Sequence, residues 1–270
     1  MSHETRGHSS RLLKMAVPHR EAGPRQAVPI DAGILSRTKE IDQTALLGYR
    51  LERLRAELRK RDYAGAVLFD PMNLRYATGT RNMAVWTMHS PSRCAFVATE
   101  GPVILFEFTS SRHVTDGSPI VDVVRPCTPW SYFLAGPRTE EKAHLWADEI
   151  ELLLRQYGGA NRRLAVDRCD PIGAMRLQSH GAQLFDVQEA AERARMVKSS
   201  EELACLQTAM DVCDLAIHRM REALAPASPK TSSGRCCTRP ISRMAAIGSN
   251  AAFSRLARAP IPGSRNPAIA

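Results

Sequence analysis

The 270-residue sequence lacks any run of about 18 consecutive apolar residues, which excludes a helix crossing a bilayer as the expected reading. Residues 1–29 lack the unbroken apolar core of a secretory signal. Glu4 and Glu21 count against a transit peptide in the same stretch. No Gly-x-x-x-x-Gly-Lys-Ser/Thr loop occurs, nor a Gly-x-Gly-x-x-Gly opening a helix, so nucleotide cradles are unsupported. A Gly-x-Ser-x-Gly elbow is missing too, which removes the usual argument for a serine hydrolase. The seven cysteines show no paired spacing, and the adjacent Cys236-Cys237 do not match zinc-ligand spacing. Cys94, Cys205 and Cys213 fall on predicted strand or helix positions and read as small core residues of a reducing compartment, with the cytoplasm as the expected location.

The most informative shortage is of acid. Residues 227–270 hold seven Lys or Arg and no Asp or Glu, leaving 30 basic against 28 acidic side chains in the rest. The net charge of +9 is therefore a property of the tail, and the body is nearly neutral. No basic folded surface is indicated, and no nucleic-acid partner is expected. The tail's prolines and small residues predict disorder.

What is present is orderly. "LLGYRLERLRAELRKRD" places Leu47, Leu51, Leu54 and Leu58 on one stripe of an amphipathic helix, which Gly65 is expected to break. Its arginines occupy the solvent face and need no anionic partner. "AGAVLFD" reads as a buried strand, and "PMNLRYATG" as a short helix entered through Pro71 and closed by Gly79. Three apolar runs of strand length follow, "NMAVWTM", "RCAFVAT" and "PVILFEF", the last two joined as a hairpin at Glu100-Gly101. "IVDVVRP" is a further strand. A long helix from Thr139 to Tyr157 presents Ala143, Trp146, Ile150, Leu153 and Tyr157 on one face, with Glu140 and Glu141 in its first turn and Gly158-Gly159 as its stop. "RRLAVDR", "PIGAMRLQSHG" and "AQLFDVQ" then give strand, helix and strand.

The last strong element is "SSEELACLQTAMDVCDLAIHRMREAL". Ser199 and Glu202 form a capping box, and Leu203, Leu206, Met210, Cys213, Ile217, Met220 and Leu224 alternate three and four apart. That seam requires a partner, and nothing after it in the sequence is suited to supply one.

The fold class expected is α/β, a mixed sheet flanked by helices, followed by a long helix and a disordered tail. The expected organisation is a mobile leader over 1–45, one α/β domain over 46–195, a helix over 196–226 and the tail over 227–270. Roughly 150 residues suffice for an independent core. Asp167 and Asp170 flank a strand end, where two carboxylates can hold a metal, although helix capping before Pro171 is the commoner use.

The order of elements, with "YRLERLRAELRKRDYAGAVLFDPMNLRYATGTRNMAVWTMHSPSR", "NRRLAVDR" and "VKSSEELACLQTAM", resembles the amino-terminal half of the creatinase/prolidase superfamily, and within it the dimethylsulfoniopropionate lyases. The resemblance covers roughly residues 46–225. It implies a following catalytic half in which Asp, Asp, His, Glu and Glu hold a pair of divalent metal ions, iron or similar. It implies release of dimethyl sulfide and acrylate by β-elimination. It also implies a substrate-pocket role for Trp86, whose face suits a sulfonium cation, with His89 as a pocket neighbour. The plainer alternatives are that Trp86 packs on the sheet and His89 lies in an exposed turn before Pro91.

After Asp214 there is no Asp, after His218 no His and after Glu222 no Glu, so the implied ligand set has no place in this sequence. No catalytic residue, metal ligand or cofactor is assigned to this polypeptide. A shifted reading frame accounts for the tail: with the last base of each codon joined to the next two, "CTRPISRM" can encode "HEANIAH". The expectation is a truncated, non-catalytic relative of a lyase. A self-associating domain that pairs with a second copy or an intact paralogue, and a fragment of an Xaa-Pro aminopeptidase-like hydrolase, stand as alternatives.

Overall fold

Carboxylates start the helices that flank the first described strand. Asp42 accepts from the amides of Thr44 and Ala45 ahead of α1 (Gln43–Lys60), and Asp70 accepts from those of Met72 and Asn73 ahead of α2 (Pro71–Thr78). The computed structural model describes residues 40–223 apart from 91 and 116, so the expectations for residues 1–39, for Cys236-Cys237 and for the rest of the tail lie outside the described residues. α1 does not wait for Gly65 to stop it: the helix ends at Lys60, and Asp62 takes a positive φ of 55°. Gly65 instead opens β1 (Gly65–Leu68). α2 closes at Gly79 as expected, with φ 68°, and a Cβ there would lie 2.7 Å from Leu47 Cδ1 of α1.

"NMAVWTM" differs from its two strand-forming successors: its centre is a six-residue helix, α3 (Ala84–His89). Asn82 Oδ1 accepts from the amide of Met83, and the Thr87 hydroxyl bonds back to the carbonyls of Met83 and Ala84, local bonds that favour a helical turn over a ladder. β2 (Cys94–Ala98) and β3 (Val103–Glu107) form the expected antiparallel hairpin. β4 (Val123–Pro126), a short helix α4 (Tyr132–Ala135), α5 (Thr139–Gly158), β5 (Arg163–Val166), α6 (Pro171–Ser179) and β6 (Gln183–Asp186) complete the layer structure.

The six strands run in the order β4-β3-β2-β1-β5-β6. Pairing is antiparallel along β1–β2–β3 and parallel for β3–β4, β1–β5 and β5–β6, a mixed sheet. Alternation divides the strands between two cores. Val67, Cys94, Phe96, Ile104, Phe106 and Leu164 face α5 and α6, whereas Ala66, Leu68, Ala95, Val97, Leu105 and Ala165 face α1, α2 and a further helix, α7 (Gln188–Met196). α7 is not anticipated from the sequence, because its buried residues are the alanines 190, 191 and 194, too small to mark an apolar stripe. In the first core Trp130 and Trp146 stack at 5.0 Å with Phe69 at their edge, over Gly173 of α6.

α8 (Ser200–Ala223) carries the capping box: the Glu202 amide donates to Ser199 Oγ and the Ser199 amide to Glu202 Oε2, each at 3.2 Å. Arg50 of α1 donates to Glu202 at 2.8 Å and ties the helix to the domain. Burial on α8 falls on Glu202, Thr208, Val212 and Ala216, while Leu203, Leu206, Met210, Cys213 and Ile217 are exposed. The side chains of Met220 and Leu224 lie outside the described residues.

Candidate functional site

The strand register gathers the chemistry at one edge of the sheet. Leu68 at the end of β1 lies opposite Ala95 near the start of β2, Cys94 opposite Phe106, Glu107 opposite Pro126, and Val166 beside Val67. The segments 69–70, 80–93, 107–108, 127–135 and 167–170 therefore emerge together. In sheets with parallel strands this edge is the common place for ligands.

The floor is a buried ion pair. Glu107 is 0% and Arg93 3% exposed, and Arg93 Nε donates to Glu107 Oε2 at 2.5 Å. Arg93 Nη2 also donates to Thr80 Oγ1 at 2.6 Å, while Glu107 Oε1 accepts from Asn82 Nδ2 and from the Phe108 amide, both at 2.9 Å. Two charges at this depth require such complete hydrogen bonding to offset their desolvation. The pair clamps both ends of the segment 80–93, which is the segment that carries α3.

On that clamp stands an aromatic group. Trp86, half-buried, meets Phe133 of α4 edge-on at 5.3 Å, and His89 lies 6.4 Å from Trp86 and 6.2 Å from Phe133. The hydroxyls of Ser90 and Ser131 bond at 2.8 Å and hold α3 to α4. Met83, Val85, Met88, Tyr132 and Phe133 are each more than half exposed, so the group is the centre of an apolar patch. Trp86 and His89 thus lie one turn apart on α3 and share Phe133 as a ring neighbour. Trp86 lies on α3 with its ring against Phe133, and His89 closes that helix, with the Ser90 amide bonded to the Trp86 carbonyl, instead of sitting in a turn. Phe133 is not legible as their partner, since it lies 44 positions beyond His89 in a segment whose sequence carries no periodic signal.

Asp167 and Asp170 are not arranged as a metal pair. Asp167 accepts from the Phe69 and Asp70 amides and from Asn73 Nδ2, at 2.8, 3.0 and 3.0 Å, fixing the turn between β1 and α2. Burial pushes its carboxyl up, and these three donors pull the other way. Asp170 occupies the position before α6 without a side-chain capping bond. Among the described residues no group of three or more His, Cys, Asp or Glu could hold a metal ion. The cysteines of this edge are poor nucleophiles. Burial, then the Glu107 carboxylate, pushes the Cys127 thiol up to about 12, and burial with Asp170 and Asp167 does the same to Cys169. Burial raises Cys94 also.

What the edge offers chemically is a rigid aromatic face held by a buried ionic clamp. A quaternary or sulfonium cation has no N–H to donate, so an aromatic face is the kind of surface that recognises it.

A family model described as the Creatinase/Prolidase N-terminal domain matches residues 50–197. The chain is 32% identical over 196 residues to the dimethylsulfoniopropionate lyase DddP of Roseobacter denitrificans, covering 73% of this chain and 43% of that protein. It is 30% identical over 182 residues to the enzyme of the same name from Roseovarius nubinhibens, covering 67% and 41%. The chain thus spans less than half the length of these relatives. Among solved structures, a prolidase from Thermococcus sibiricus superposes with a TM-score of 0.52 at 16% identity, over 73% of this chain and 50% of that one. An Xaa-Pro dipeptidase from Bacillus anthracis gives 0.51 at 14%, over 72% and 48%. At those identities the likeness speaks for the fold alone. Among the described residues, no helix is long and apolar enough to cross a membrane.

Proposed function

The chain belongs to the creatinase/prolidase N-terminal domain family, and from that premise we propose that this polypeptide is a truncated, non-catalytic relative of a dimethylsulfoniopropionate lyase. Its role in that reading is to present the face of Trp86, backed by Phe133 and flanked by His89, to a dimethylsulfonio group. The observation that carries it is the half-exposed Trp86 on its clamp, in a chain at 32% identity to an enzyme named for a sulfonium substrate. Each contact of a partly solvated cation with such a face contributes about 0.5–1 kcal/mol, so binding by this domain alone is weak.

The donor set does not fit the divalent metal pair that the lyase resemblance implies. Residues 223–270 contain no Asp, Glu or His, and Asp167 already accepts three N–H bonds. No step of the elimination is therefore assigned to residues of this polypeptide. The same reading places a frame disruption in the codons for Ser228 to Cys237, which resequencing of that stretch checks.

Two measurements test the proposal. Dimethyl sulfide in the headspace, with iron, manganese, zinc or cobalt added, is expected to stay at the level of a protein-free blank; release above it overturns the non-catalytic assignment. Tryptophan emission is expected to change as dimethylsulfoniopropionate is titrated in, and Trp86→Leu is expected to abolish the change. An unchanged emission, or a response that survives in Trp86→Leu, removes the substrate-face assignment.

A further inference from the structure

We propose that Arg75 and Arg81, at the C-terminal end of α2, form a binding site for a small dianionic oxyanion, either free phosphate or the phosphoryl group of a small monoester. The arginines around this place are settled. Arg50 donates to Glu202 at 2.8 Å, and Arg195 donates to Glu192 and to Asn73. Their guanidinium carbons lie 5.5 and 6.0 Å from the ring centre of Tyr76, whose hydroxyl donates to the Ala194 carbonyl at 3.0 Å. Among the described residues, Arg75 and Arg81 have no carboxylate partner and no side-chain hydrogen bond.

The fold brings these two cations together. Arg75 is exposed on the outward side of α2 with Met72, while Leu74, Ala77 and Thr78 are buried. The Gly79 amide closes the helix on the Arg75 carbonyl at 2.9 Å, and its φ of 68° turns the chain. Thr80 and Asn82 then reach into the buried Arg93–Glu107 pair, which leaves Arg81 between them exposed to solvent. Partial burial, then repulsion from Arg81 and from Arg50, pulls the Arg75 guanidinium down. The carboxylates that could relieve that repulsion are already engaged. Glu202 takes Arg50 and the Ser199 amide, and Glu192 takes Arg195.

An anion between two uncompensated guanidiniums removes their repulsion and adds charge-assisted hydrogen bonds. Each planar fork presents parallel N–H groups that match two oxygens of one anion. A monocarboxylate satisfies one fork and one charge. A tetrahedral dianion has the oxygens and the charge for both.

The test is calorimetric titration of the full chain with inorganic phosphate at low ionic strength and about pH 8, where a phosphate carries close to two negative charges. One site with Kd below about 1 mM is expected. In roughly 20 mM phosphate, Tm is expected to rise by about 4–7 °C over sodium chloride of equal ionic strength. Arg75→Gln and Arg81→Gln are each expected to weaken binding at least about 10-fold, the scale of a hydrogen bond to a charged group, and the double variant to abolish it. Neither side chain bonds within the fold, so these variants are expected to keep the circular dichroism of the parent chain. Arg221→Gln, 19 residues and about 28 Å along α8 from Glu202, is expected to leave the affinity unchanged. Glycerol 2-phosphate binding more tightly than phosphate identifies the ligand as a phosphomonoester, and equal or weaker binding identifies it as the free ion; both place an oxyanion on the arginine pair. Acetate binding as tightly as phosphate overturns the dianion assignment. No binding at roughly 10 mM phosphate, or binding that survives in the double variant, overturns the site.

Discussion

Removing the guanidinium of Arg93 should do more damage than its single ion pair suggests. Arg93→Met keeps most of the side-chain length and leaves the Glu107 carboxylate, 0% exposed, with only Asn82 and the Phe108 amide as donors. An ionised carboxylate stranded at that depth costs about 3–5 kcal/mol. For a folded unit of this size each kcal/mol lowers Tm by about 2–4 °C, so a loss of roughly 6–20 °C is expected. Glu107→Gln removes the charge from the other side, and the double variant Arg93→Met/Glu107→Gln should be less destabilised than the sum of the single changes. Urea unfolding followed by circular dichroism measures all three. Because the pair clamps the segment carrying α3, Arg93→Met should also alter the emission of Trp86 at urea concentrations below the unfolding transition. Single variants that each cost under about 1 kcal/mol, and whose effects add, would refute the claim that the pair is a coupled buried clamp.

Two further outcomes follow from other parts of the structure. Gly173→Ala would place a Cβ 2.8 Å from Trp130 Cη2 and 2.9 Å from Trp146 Cζ3, so despite alanine's better helix propensity it should destabilise by about 1–3 kcal/mol, read as a lower urea midpoint at constant m-value. Asp148 is held below its usual range by the Arg176 guanidinium and then by His180. A depressed carboxyl contributes stability above its unfolded value of about 3.8 and loses it as pH falls through the folded value, so Asp148→Asn should cost a few tenths of a kcal/mol at pH 7. That difference should shrink as the pH is lowered below about 3.8 and vanish once Asp148 is protonated in the folded protein, and a deficit that does not shrink with falling pH would contradict the assigned ion pairs.

The elements that were legible in the sequence are those whose signal is local. The Leu stripe of α1, the Pro71 entry and Gly79 exit of α2, the Glu100-Gly101 hairpin and the Ser199–Glu202 box each depend on residues within a few positions of one another. Where local signals are ambiguous, pattern and structure part. "AVWTMH" is as apolar as a strand, and only the back-bonding of Thr87 and the absence of a strand partner make it helical. α7 buries alanines, which contribute little hydrophobic contrast, so its docking on α1 decides it.

The sequence by itself determined the mixed α/β architecture, the family resemblance and the seam of α8, because periodicity and caps are properties of neighbouring residues. Tertiary structure alone decided that Trp86 meets Phe133 and that Arg93 finds Glu107. It also turned Asp167 toward the backbone of a distant strand end. Those contacts join segments far apart in the chain, and their partners are chosen by strand order and register, which no local pattern encodes.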